Sequence, residues 1–337
     1  MVITDIKETL FKLSRAAGAT GYEGGAAAVA AELLTPLCDE VKIDRLGSVT
    51  GFIRPRKPLG DKPLRVLLDA HLDEVGIMVT GEKDGFFTFC QLGGIDPRIL
   101  PDMEFTLLTE PPVKAVVACL PPHLVKPEET GKAKAIEDLY LDTGGLPAPV
   151  GTVGVFRKDP GALGSNLCGK SFDDRACFVT LLRALEHLER DKLNAEVVVC
   201  GSVQEEIGGN GALTVGYGLH PDYAIAVDVT FGTTPDSPVG WAYKLGGGVC
   251  VNLGPDCNRG LNRTLIELAK AKDIPYQLEV SSGMSGTNAT EFQIARDGVA
   301  TAVLSVPLRY MHTPCEVLNT EDIEACAKLI GLWVNSL

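Results

Sequence analysis

The sequence predicts an α/β protein: a layered domain on a mixed sheet, with a second, smaller β domain inserted into it. Three observations predict it. In residues 1–76 and again in 165–337, apolar runs that end in acids or histidines alternate with stretches of helical period, the rhythm of strand followed by helix. Between about 77 and 164 the texture changes to short alternating strands separated by Gly, Pro and Asp, with little helix. A length of 337 residues, 45% of them hydrophobic, is enough for a large core and for more than one domain.

In chain order, TDIKETLFKLSRAAGA offers Thr4 as a helix N-cap and Ile6, Leu10, Phe11 and Leu13 at helical spacing, an amphipathic first helix. A glycine-rich turn and an Ala-rich second helix ending near Cys38 follow, then a strand pair in VKIDRLGSVTGFIR that breaks at Gly47. RPRKPLGDKP reads as an exposed connector to the strand of VLLDAHLDEVG, residues 66–76. In the insert, GIMVTGEKD, GFFTFCQLGG, EFTLLTE, KAVVACL and GTVGVFRKD read as strands, and KAIEDLYL is the one candidate helix. After Lys170 come RACFVTLLRALEHLER, AEVVVCGSVQ, YAIAVDVT, LNRTLIELAKAKDI, YQLEVSS, ATEFQIARDG, ATAVLSVPLR and TEDIEACAKLIGLWVNSL, helices and buried strands in alternation.

Composition removes several classes of partner. A formal net charge of −13 argues against nucleic acid and against anionic membrane, both of which need a basic face. No stretch approaches the roughly 18 apolar residues of a membrane span, and MVITDIKETL lacks a basic start followed by an apolar core, so a cytoplasmic protein is expected. Ten cysteines without a C-x-x-C pair fit reduced thiols better than a disulfide framework or a structural zinc knot.

Five clusters carry chemistry. VLLDAHLDEVG brings His71 and Asp73, two apart and on one face of an extended segment, to a strand end, where open α/β sheets place their sites. A neutral imidazole is a common metal ligand, and a carboxylate beside it holds its tautomer; the plainer alternative is a solvated strand end with one satisfied histidine. KSFDDRA sets Asp173 and Asp174 before a long helix, where acids are often only caps. QEEIGGNGA puts Glu205 and Glu206 after an apolar strand, AVDVT ends another at Asp228, and RYMHTP follows a third with His312. Were Asp173, Glu206 and Asp228 to converge on His71 without cations, each carboxylate pair at about 4 Å would repel by roughly 4 kcal/mol at an effective dielectric of 20. Divalent cations reverse that sign, and a mixed His/carboxylate set without Cys favours zinc, cobalt or manganese. Two histidines and three carboxylates are too many for one tetrahedral ion with an open position, and suffice for two ions that share a carboxylate and clamp a water.

HLDEVG, KSFDDRA, QEEIGGNGA, AVDVT and RYMHTP, in this order, closely resemble the glutamyl-aminopeptidase and tetrahedral-aminopeptidase family of cytosolic di-metal peptidases, some of whose members have been labelled endoglucanases. The resemblance runs through nearly the whole chain, and GGIDPRILP and LPPHLVKPEE resemble the family's PDZ-like insert. It implies one metal on His71, Asp173 and Asp228, another on Asp173, Glu206 and His312, Asp173 bridging, Glu205 as general base and Asp73 as the partner of His71. It also implies two divalent ions per subunit, zinc or cobalt, short peptides with a free N-terminus as substrates, and a homo-oligomer from dimer to tetrahedral dodecamer in which the β insert, with edge strands to cover, takes part. The chain departs from the family at Cys177, where glycine is usual, at Asn288, where aspartate is usual, and in an insert without the acidic helical stretch after YLDTGG. His123, His187 and His220 are expected to be structural or solvent-facing. Other readings are a different hydrolase of the same fold, a deacylase or a glucanase, and a non-catalytic peptide-binding or assembly protein. A glucanase has no need of His71 and His312, and two Trp in the whole chain are few for stacking sugars.

Overall fold

The computed structural model describes residues 5–57, 63–129 and 131–337. Helix α1 (Ile6–Arg15) buries Leu10, Phe11 and Leu13 on one stripe. Its N-cap is Asp5, whose carboxylate accepts from the Glu8 amide at 3.1 Å, while Thr4, the expected cap, lies outside the described residues. Helix α2 (Gly24–Leu34) stops at Leu34 rather than near Cys38, two residues before Pro36, which has no amide to continue the ladder. Strands β1 (Glu40–Ile43) and β2 (Val49–Ile53) pair antiparallel around Gly47, whose φ of +110° favours glycine. Strand β3 (Leu64–His71) then enters the core.

The insert is a closed barrel. Strands β4 (Gly76–Lys83), β5 (Phe86–Leu92), β6 (Glu104–Leu107), β7 (Val113–Ala118), β8 (Tyr140–Asp142) and β9 (Val153–Phe156) run in the order β4-β5-β8-β7-β6-β9, and β9 returns to pair with β4 at Gly76 and Val155. Strand alternation turns Ile77, Val79, Phe87, Phe89, Phe105 and Leu107 inward, and Phe105 stacks on Phe156 at 4.7 Å. KAIEDLYL forms a single 3₁₀ turn, Ile136–Asp138, and then β8, because Leu139 and Leu141 bury themselves in the barrel at the period of a strand. Closure leaves the barrel no free edge, so the argument that its edges call for a partner does not apply. Strands β10 (Gly161–Leu163) and β11 (Asn166–Gly169) form a hairpin on the large sheet, so residues 161–163, expected in the insert, belong by hydrogen bonding to the larger domain.

Helix α3 (Phe172–Glu186), β12 (Ala195–Ser202), α4 (Asn210–Leu219), β13 (Tyr223–Phe231), β14 (Val249–Leu253), α5 (Arg259–Ala271), β15 (Tyr276–Val280), α6 (Ala289–Gln293), β16 (Ala300–Arg309), β17 (Glu316–Leu318) and α7 (Thr320–Val334) complete the chain. The large sheet runs β1-β2-β12-β3-β13-β16-β17-β11-β10, with β14 on β16 and β15 on β14. Its four central strands, β12, β3, β13 and β16, are parallel, so their carboxyl ends meet at one edge. Both faces are covered: Val66 and Leu68 pack into a core with Leu10, Phe178 and Trp333, while Leu67 packs into one with Ala212 and Phe292. Two-sided burial explains why these strands read as continuous apolar runs.

Candidate metal centre

Each predicted group arrives on its own element. His71 closes β3, Asp173 lies in the first turn of α3, Glu205 and Glu206 open a 3₁₀ turn after β12, Asp228 sits near the end of β13, and His312 follows β16. All six side chains line one cavity of about 350 Å³ at the carboxyl edge of the parallel strands. Asp173 stands at its centre, with Oδ1 3.1 Å from His71 Nε2 and Oδ2 3.3 Å from His312 Nε2. His312 Nε2 is also 3.3 Å from Glu206 Oε1. A larger cavity of about 750 Å³ along α5 is lined by Arg259, Arg263, Glu267 and Lys270 and brings no such ligand set together.

Asp73 is fully buried behind this row and acts on three groups at once. Its Oδ1 accepts from the Glu205 amide and its Oδ2 from the Glu206 amide, both at 3.1 Å, which anchors the turn bearing the two glutamates. The His71 Nδ1 contact to Asp73 Oδ1, at 3.4 Å, lacks hydrogen-bond alignment and orients the ring electrostatically. Backbone angles at Asp173 and Asp174 are not helical, so the regular helix begins at Arg175 and the two carboxylates diverge. Asp174 turns away from the cavity: its Oδ2 accepts from the His71 amide at 3.1 Å, and its carboxylate groups with Asp228 and His71. It caps nothing, contrary to the helix-cap alternative.

Glu316 was not legible as a site residue. Its buried carboxylate accepts from the amides of Phe172 at 2.7 Å and Asp173 at 3.2 Å through Oε2, and from the His312 amide at 2.9 Å through Oε1. It thus ties Asp173 and His312, 139 residues apart in sequence (312 − 173), to one point. The only signal was a carboxylate four residues after His312 at the start of an apolar strand. Glu316→Ala leaves three amides without an acceptor, each worth about 1–3 kcal/mol when buried. The expected loss is about 3 kcal/mol, read as a lower urea midpoint at unchanged slope in metal-free protein; equal midpoints would show that the three bonds carry nothing.

Glu74 is a second buried hub outside the cavity wall, with Oε2 2.6 Å from Lys170 Nζ and Oε1 3.0 Å from Arg175 Nη2. Arg175 also donates to the carbonyls of Leu13, Ala16 and Leu72, tying α1 and the end of β3 to the start of α3. Cys177 is buried beside Asp174. Asn288 donates through Nδ2 to Asp69 Oδ2 and to Ser202 Oγ, both at 2.8 Å, so an amide supplies the donor that a second carboxylate there would lack. His123 is exposed, His187 meets Glu324 at 3.2 Å and His220 meets Asp297 at 2.8 Å, all away from the cavity.

The charges are unbalanced. Burial pushes Glu205 up to about 8, and neighbouring Glu206, Asp173 and Asp73 add to the rise against the pull of His71. Burial likewise raises Glu206, and raises Asp174, Asp228 and Glu316 well above the carboxyl range. Burial would lower both histidines, yet Asp173 and Glu206 push His312 up to about 11, and Asp173 and Asp73 hold His71 well above its ordinary value. Those histidines in turn overcome burial to hold Asp173 well below the carboxylate range. So many buried acids call for compensating positive charge, and His71, Asp173 and Glu206 present ligand atoms within 4.8 Å of one another. The donor set of imidazoles and carboxylates fits divalent metal ions.

Comparison with known proteins finds similarity along nearly the whole chain. The family model described as M42 glutamyl aminopeptidase matches residues 51–329. The lysyl aminopeptidase of Pyrococcus furiosus is 33% identical over 343 residues, covering 98% of this chain and 97% of that protein. The crystal structure of a TET aminopeptidase from a marine sediment archaeon, Thaumarchaeota archaeon, superimposes with a TM-score of 0.92 at 29% identity, covering 98% of this chain and 96% of the other. The Pyrococcus horikoshii TET1 peptidase, described as able to assemble into a tetrahedron or a large octahedral shell, has a TM-score of 0.85 at 29% identity over 99% of this chain and all of the other.

Proposed function

The chain belongs to the M42 glutamyl aminopeptidase family and is a metalloaminopeptidase; from that premise we propose that it holds two divalent cations, zinc or cobalt, and removes residues one at a time from the free N-terminus of short cytoplasmic peptides. The observation that carries this reading is the Asp173 carboxylate, whose two oxygens face His71 and His312 separately, the disposition of a bridging ligand. His71, Asp173 and Asp228 would hold one cation, and Asp173, Glu206 and His312 would hold the other. Asp174, which does not line the cavity, accepts from the His71 amide and has a carboxylate oxygen within 4.8 Å of ligand atoms of His71 and Asp228. When bound, the cations supply Lewis acidity that polarises the scissile carbonyl and acidifies the attacking water. Glu205, on the cavity wall, takes the proton of that water and delivers it to the leaving amine. Asp73 keeps the His71 ring in place and fixes the turn from which Glu205 works.

Exo-cleavage is tested by chromatography of digests: unblocked short peptides lose N-terminal residues in order, while N-acetylated peptides and soluble cellulose derivatives survive. Efficient cleavage of either protected substrate would turn the reading to an endopeptidase or a glucanase. By analogy with the horikoshii assembly, we propose a homo-oligomer with a dimer as the minimum unit. A stable monomer by light scattering at micromolar concentration would remove that proposal.

A further inference from the structure

We infer that Glu279 forms a subsite for a cationic side chain, lysine or arginine, on the first residue of the substrate. The inference rests on the peptidase reading above and goes on to say which residue the cavity prefers. The cavity that holds the six candidate metal-centre groups continues over one face of the β13, β16, β14 and β15 region. Register fixes that face: Asp228 lies opposite Ser305, Ser305 opposite Cys250, and Asn252 opposite Glu279, so strand alternation turns Asp228, Thr230, Ser305, Asn252 and Glu279 the same way. Glu279 reaches back across this face. Thr230 Oγ1 donates to its Oε1 at 2.6 Å and Ser305 Oγ donates to its Oε2 at 2.8 Å.

Each carboxylate oxygen is therefore held by one hydroxyl and keeps accepting capacity toward the cavity. No lysine, arginine or histidine among the described residues forms an ion pair with it. A half-buried carboxylate on the cavity wall, oriented by two hydroxyls and paired with no cationic side chain among the described residues, is a preformed receptor for a cation. Thr230 stands two residues along β13 from Asp228, about 6–7 Å at strand rise. That is comparable to the reach of an extended lysine side chain, a four-carbon stem ending in an ammonium. Phe231, Val303 and Met311, also on the cavity wall, offer apolar surface to the stem.

The test compares kcat/KM of the metal-loaded oligomer on Lys-, Arg- and Leu-4-nitroanilide, for the native protein, Glu279→Gln and Ser305→Ala. The native protein is expected to favour Lys and Arg over Leu. Glu279→Gln should cut the Lys-over-Leu ratio on the order of 10²-fold, as expected when one partner of a hydrogen-bonded charge pair is removed, and Ser305→Ala should cut it less, in the same direction. Equal losses on all three substrates would overturn the inference, because Glu279 would then serve the α-amine or the fold. A native protein that cleaves Leu with no preference for Lys or Arg would overturn the subsite and leave the peptidase reading standing. A native protein that cleaves none of the three would overturn the subsite, and would overturn the peptidase reading only if unblocked short peptides with other first residues also survived.

Discussion

Glu205→Gln is expected to lower peptide turnover on the order of 10²–10⁴, the usual worth of a positioned proton-transfer group, while metal content stays near that of the native protein. Glutamine keeps the size and one acceptor and removes the base. The turn itself should survive, since Asp73 grips the backbone amides of residues 205 and 206 and not their side chains. Glu206 differs from its neighbour in meeting His312 Nε2 at 3.3 Å. Glu206→Gln should therefore weaken one metal site, with activity partly recovered at high zinc or cobalt. Metal titration and turnover on both variants decide the matter. If Glu205→Gln loses metal and Glu206→Gln keeps it, the two roles are reversed.

Removal of the cations is expected to abolish hydrolysis, and zinc or cobalt at about two equivalents per chain should restore it. Asp173→Asn extends the test to the bridge. With both of its oxygens engaged, one toward each histidine, its replacement should cost both equivalents of metal, whereas His312→Ala should cost only one. Elemental analysis after dialysis reads the difference. Full activity in a rigorously metal-free sample would end the di-metal reading, and loss of a single equivalent in Asp173→Asn would end the bridging assignment.

Local chemistry was legible where strands run straight into the site. The apolar run before His71 and the run before Asp228 announce both a buried strand and its carboxyl end, while the convergence of Asp173, Glu206 and His312 on them came only from the family resemblance. What stayed hidden depends on distant backbone. Glu316 serves amides 143 and 144 positions away, and no periodicity marks a carboxylate whose partners are main-chain groups. The divergence of Asp173 from Asp174 follows from two non-helical residues at a helix start, which residue types alone do not specify. Barrel closure is equally non-local. It depends on β9 meeting β4 across most of the insert, and so the strands could be recognised while the absence of an edge could not. Glu279 reads as one acid in YQLEVSS until Thr230 and Ser305 come beneath it.

Two glycines after β5 lie close against the candidate site. Gly93, at φ +76°, leaves room where a Cβ would come 3.2 Å from the Cβ of Glu206, and a Cβ on Gly94 would come 3.5 Å from His312 Nδ1. The loop after β5 thus packs closely against two residues that line the cavity. A barrel borrowed from another protein would have to bring a glycine in register at position 93, or its side chain would crowd Val75 and Glu206. The insert is separable as a stretch of gene and inseparable as a piece of architecture, which limits how freely recombination can exchange it.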